Sequence, residues 1–183
     1  RLFVIEIQGK LNIFNSIGKA DKQLDIADDM YMTAKLTDQN KNIEFKLTYP
    51  TNHWIAIGFG ENMFGTPMFI LENCTKEESP DILDTYSEGH HRPEPYEENR
   101  YTLEATITSD QCVATVKRPL KITRDNNRED NLLPDTPLKC IYAYKEGGTV
   151  HYHGKSGRGG FIMNIDSKSS TVSFGDATFG SDT

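Results

Sequence analysis

From Met30 onward, apolar side chains recur at every second position. Met30, Met32, Ala34 and Leu36 do so, then Ile43, Phe45, Leu47 and Tyr49. Tyr101, Leu103, Ala105 and Ile107 repeat the pattern, and so do Cys112, Ala114 and Val116. A period of two sends alternate side chains to opposite faces of an extended chain, so each segment has one buried face and one wet face. Leu2–Ile7, Trp54–Phe59, Pro67–Leu71, Lys139–Tyr144 and Gly160–Ile165 are further predicted strands, punctuated by Gly, Pro, Asn and Asp. No amphipathic helix longer than two turns is legible. The predicted fold is therefore all-β, an antiparallel β-sandwich of about nine to eleven strands over one core.

Two segments interrupt the rhythm. Residues 76–100, containing SEGHHRPEPYEE, form a long excursion with one short strand expected near Ile82–Tyr86. Residues 123–137, TRDNNREDNLLPDTP, read as a polar loop. Long loops in a compact domain carry function or motion. After Asp166 the chain turns rich in Ser, Thr and Gly, which divides it into a sandwich over residues 1–166 and a tail over 167–183. Such a tail serves as a linker or adds a strand to a neighbour's sheet edge.

The 183 residues suit one domain, and their net charge of −7 repels phosphate backbones. With no basic patch interleaved with aromatics, nucleic-acid binding is not expected. No apolar run reaches the roughly 20 residues that span a bilayer as a helix. Cys74, Cys112 and Cys140 form no CxxC or CxxCH, which excludes a zinc ribbon, a thioredoxin motif and covalent c-type haem. Three cysteines permit one disulfide and one spare thiol. Asn73-Cys74-Thr75 is a formal N-glycosylation triplet.

Enzyme signatures such as GxSxG, HExxH and a phosphate-binding glycine loop are missing. Met63 stands out instead. It sits in a glycine-flanked turn between two strands, where a core role explains it poorly, and thioether sulfur is a soft ligand for haem iron or copper. His151 and His153, two apart, share a face if the chain there is extended. Arg158, among the glycines that follow, is a candidate carboxylate or propionate partner. Adjacent His90 and His91 point oppositely on an extended chain and read as surface; His53 reads as structural.

Three stretches in order resemble the DOMON domain family. HWIAIGFGENMFGTPMFIL, residues 53–71, resembles its W-x-x-(I/L)-G-F…M-x-G segment. Residues 116–144 resemble its strand ending in RPL, aspartate-bearing loop and following strand, and YHGKSGRGGFIMNID resembles its closing H…R-G…D segment. The resemblance implies an immunoglobulin-like β-sandwich. In cytochrome members it implies a non-covalent haem b held between a methionine and a histidine, here Met63 and His153, with His151 and Met68 as rivals. Trp54, Phe64, Met68 and Tyr152 are then expected pocket walls. The implied role is electron transfer rather than catalysis, in an extracellular or luminal compartment. A disulfide joining Cys112 to Cys140, or one using Cys74, is implied possible there. The expected partner is a membrane di-haem cytochrome, a flavin dehydrogenase or another copy of the chain. The competing expectation is a DOMON-like module that binds a sugar or other small ligand, or an adhesive domain, without a redox role.

Overall fold

A computed structural model describes residues 22–177. Every regular element in it is a strand: β1 (Gln23–Ala27), β2 (Met30–Thr37), β3 (Asn42–Pro50), β4 (His53–Gly58), β5 (Phe64–Glu72), β6 (Asp81–Glu88), β7 (Glu94–Pro95), β8 (Thr102–Ile107), β9 (Gln111–Pro119), β10 (Leu138–Glu146), β11 (Arg158–Asp166) and β12 (Thr171–Asp176). Among the described residues, no helix is long and apolar enough to cross a membrane. All pairings are antiparallel, in the order β7-β6-β5-β4-β10-β11-β12-β2-β3-β9-β8, with β1 added beside β2.

The sheet curls because its inward residues must meet one another. Phe45 of β3 packs against Phe69 of β5 and Phe59 just after β4, with ring centroids 5.8 and 5.6 Å apart. One core therefore collects the inward side chains of both halves, from Ile43 and Phe45 to Ile57, Phe69 and Phe161. The hinge is sparse: β12 meets β2 at Thr171↔Lys35 alone. Cys74, after β5, is disulfide-bonded to Cys112 on β9, which ties the two halves together across the core. Cys140 remains free and buried, and burial pushes its thiol pKa up.

The alternating segments become strands in the expected register. The excursion of residues 76–100 holds β6, longer than the strand foreseen there, and the two-residue β7. Residues 123–137 form no strand, only the bridge Thr123↔Glu129. Val172 and Phe174, inside the Ser/Thr/Gly-rich stretch, are buried inward residues of β12, which pairs with β11 of its own sheet. Leu2–Ile7 and residues 178–183 lie outside the described residues.

Candidate functional site

In an antiparallel ladder, directly opposed residues share a face. Inward on β4 lie Ile55 and Ile57; outward lie Trp54, Ala56 and Gly58. Register then fixes the rest of the outward face. Ala56 stands between Ile70 of β5 and Ala143 of β10, and Gly58 stands between Met68 and Ile141. β6 adds Leu83 and Thr85, opposite Ile70 and Met68. An outward face should be wet, yet Trp54, Ala56, Met68, Ile70 and Thr85 are all buried. Trp54, Ala56 and Ile70 form a second apolar cluster, joined by Leu83, Ala143 and Val150. A strand apolar on both faces is one that is covered on both faces.

Two loops stand at opposite ends of this face. The β4–β5 turn lies beyond Gly58, and the β10–β11 loop lies beyond Trp54, because Glu146 pairs with His53. Trp54 and Gly58 are four rises apart on β4, about 13 Å.

The first loop carries Met63. Asn62 shapes it: its side-chain oxygen accepts from the Phe64 N–H at 2.8 Å, and its carbonyl accepts from the Thr66 hydroxyl at 2.5 Å. Gly65 follows with φ +72, a left-handed conformation that costs glycine little, and β5 shifts register there. The half-buried Met63 turns its sulfur toward the buried Ser87 hydroxyl, 3.9 Å away. Phe64 is 60% exposed, edge-on to His90 at 5.3 Å.

The second loop carries both histidines. It doubles back at Gly157, where any Cβ would strike the Tyr144 carbonyl and lie 2.7 Å from the His153 carbonyl. His153 is half-buried, with its ring 6.5 Å from that of Trp54 and 5.4 Å from that of Tyr152. Its Nδ1 lies 2.6 Å from the Gly154 carbonyl. A carbonyl only accepts, so Nδ1 carries the proton and the Nε2 lone pair is left for a ligand. His151 makes the equivalent bond to the Thr149 carbonyl at 2.8 Å and lies 6.1 Å from Trp54, but it is exposed. The tautomer argument therefore serves both histidines, and burial favours His153.

The remaining candidates divide. Met68 is a buried wall on the outward face, between Gly58 and Thr85. Arg158 is exposed and shares the face through its pairing with Ala143. Tyr152 is 72% exposed and, like Phe64, forms rim rather than wall. His91 is exposed beside Gly89, 3.5 Å from that residue's would-be Cβ. Sequence reasoning did not single out Ser87, Ala56, Ala143 or Glu72. The doubly apolar run WIAIG was the available signal for a covered outward face.

A pocket of about 210 Å³ lies elsewhere, lined by Tyr96, Glu98, Arg100 and Arg124 among others. Its buried cation, Arg124, is already paired with Asp84 and Asp130, so the pocket presents no free buried charge from that residue.

Fold and face together define an all-β protein whose sheet is apolar and buried on its outward side as well as its inward one, between the loops that carry Met63 and His153. The sequence model of the DOMON domain matches residues 26–145, more than half of the chain, and the chain belongs to that family. Its fold is shared with solved cytochrome domains. The cytochrome domain of Myriococcum thermophilum cellobiose dehydrogenase aligns with a TM-score of 0.63 at 13% identity, over 81% of this chain and 83% of that one. The cytochrome b domain of pyranose dehydrogenase from Coprinopsis cinerea aligns with a TM-score of 0.54 at 13% identity, over 73% and 76%.

Proposed function

We propose that the chain is an electron-transfer domain that holds haem b non-covalently on the outward face of β4, β5 and β10, with Met63 and His153 as axial ligands. One observation carries the reading: the loops that carry Met63 and His153, the latter with an Nε2 lone pair to spare, stand at opposite ends of an apolar outward face of the sheet. The fit extends to a polar atom. Trp54 is 2% exposed, and its Nε1–H has no acceptor among the described residues. An orphaned buried donor costs about 1–3 kcal/mol, so a bound group bringing an oxygen there recovers that loss.

Held by Met63 and His153, haem would supply one-electron transfer and leave no iron position open to a substrate. The protein's own residues do the rest. Met68, Ile70 and Ala56 exclude water from the face. The Gly154 carbonyl orients the His153 ring and fixes its tautomer. Arg158, exposed on the same face, would offer its guanidinium to a carboxylate of the ligand.

The solved relatives are named as domains of cellobiose dehydrogenase and pyranose dehydrogenase. By that likeness the redox partner proposed here is a flavin dehydrogenase, with a membrane di-haem cytochrome or a second copy of the chain as alternatives. The Cys74–Cys112 disulfide supports an oxidising compartment, extracellular or luminal. Glycosylation of Asn73 belongs to the same proposal.

The visible spectrum tests the reading. The purified or haem-reconstituted protein is expected to show a Soret band, with sharp α and β bands on reduction. Met63→Ala and His153→Ala should each perturb the reduced spectrum, and His151→Ala should not. Failure to take up haem favours a module for a sugar or another small ligand. Haem uptake with spectra indifferent to both ligand variants overturns the assignment of Met63 and His153.

A further inference from the structure

Glu72 is the last residue of β5 and is buried although charged. Its Oε2 accepts the backbone N–H of Val150 at 2.9 Å, at the root of the loop that carries His151 and His153. Its Oε1 accepts from the Arg92 guanidinium at 3.2 Å. Arg92 follows Gly89, His90 and His91 in the β6–β7 connection, and that connection lies against the Met63 turn. His90 sits edge-on to Phe64, a Cβ at Gly89 would lie 3.5 Å from the Phe64 ring, and the Gly89 carbonyl accepts the Ser87 hydroxyl that faces the Met63 sulfur. One short loop thus touches Phe64 and Glu72, the two ends of the same strand.

We infer that Glu72 and Arg92 form a clasp joining the Met63 turn to the His153 loop, so that the two candidate ligands are positioned together rather than independently. A buried carboxylate with one partner on the His153 loop and one on the β6–β7 connection that packs against the Met63 turn resists the displacement of either, because breaking one bond leaves charge unsatisfied in a buried place. Glu72 and Arg92 are positioning residues. The coupling itself is independent of any cofactor, whereas its meaning for ligation rests on the reading of Met63 and His153 given above.

The test compares wild type, Glu72→Gln, Arg92→Ala and Arg92→Lys, with Lys76→Ala as a control at an exposed ion pair. Amide exchange is measured on the whole chain free of haem. Arg92 makes no hydrogen bond to the His loop among the described residues, yet Arg92→Ala is expected to speed exchange at Val150 by roughly tenfold, the scale of one lost charge-assisted hydrogen bond. Arg92→Lys should restore part of the protection, and Lys76→Ala should change nothing there. Wild-type exchange at Val150 in Arg92→Ala overturns the clasp. Because Arg92 is more than half exposed, its variants keep the fold even where Glu72→Gln does not. In the haem-loaded protein, Arg92→Ala should release haem faster and shift the midpoint potential. Unchanged release and potential in a protein that does bind haem overturn the clasp's role at the site. Wild type that takes up no haem overturns the ligand pair instead, and leaves the exchange result to decide the coupling.

Discussion

Strand β6 looks two ways, and its two faces are built on opposite principles. Asp84, on the inward side, is held bidentately by Arg124 at 2.8 Å through both oxygens, and it also accepts the Arg100 N–H at 2.9 Å. Arg124 continues to Asp130 at 2.7 Å and lies over the Tyr96 ring. Arg118, fully buried, donates to the Asp130 carbonyl, the Tyr101 hydroxyl and the Pro119 carbonyl. Burial opposes the Arg124 charge, but hydrogen bonds to Asp84 and Asp130 outweigh it and raise its pKa. On this side each of these buried charges has several partners. On the outward side, Thr85 and Ser87 border a face where, among the described residues, the tryptophan N–H has no acceptor and the Met63 sulfur has one weak contact. The first is a frame, and the second is the face where the proposed ligand would sit.

The sharpest way to break that comparison is at Asp84. Asp84→Ala removes the bidentate one of Arg124's two buried carboxylate partners, which costs up to about 3–5 kcal/mol, the figure for a broken buried pair. Urea unfolding followed by tryptophan fluorescence should show that loss. A change below about 1 kcal/mol would mean that Asp130 and Tyr96 hold Arg124 by themselves.

Alkali acts on the frame more gently. Tyr101 is raised to about 12 by burial. Tyr96 is also raised to about 12, by burial first and then by the Asp130 charge. Free tyrosine ionises near pH 10, so between those values the unfolded chain sheds protons that the folded chain keeps. Their contribution is complete below about pH 10 and declines toward pH 12, by up to roughly 1.4 kcal/mol per pH unit for Tyr101 and by less for the partly exposed Tyr96. Tyr101→Phe should flatten that alkaline limb in denaturant titrations. An unchanged limb would place the loss elsewhere.

The frame and the site were unequally legible in sequence. Period two located β2, β3, β8 and β9 because each has a clean inward face, as the strict alternation of burial along Gln111–Pro119 shows. It passed over β12, where Val172 and Phe174 alternate among Ser, Thr and Gly whose small polar side chains mute the signal. It passed over β1 and β7, which are five and two residues long. The loop of residues 123–137 reads as solvated because it is polar, yet Arg124 and Asp130 are buried. Pairing between Asp84 and Arg124, forty positions apart, is a property of the folded chain that composition does not carry. At the site, the turn around Met63 and the spacing of His151 and His153 were visible locally. The floor of Ala56, Ile70 and Ala143 was not, because it depends on the register of three strands.

The smallest expected effect on the apoprotein is also the most discriminating, and it falls on Trp54. Trp54→Phe removes an indole N–H that has no acceptor, relieving about 1–3 kcal/mol. It also removes ring volume from a buried cluster, and the cavity left behind costs a similar amount. The two nearly cancel, so the haem-free variant should unfold within about 1 kcal/mol of wild type. Were the indole merely structural, nothing more would follow. If its N–H awaits an acceptor on a bound group, the loaded variant loses that bond, and haem affinity should fall by roughly tenfold while the apoprotein is unmoved. Haem titration beside denaturant unfolding separates the two cases. Equal affinity in wild type and Trp54→Phe would return Trp54 to the frame and leave the outward face without its one unsatisfied donor.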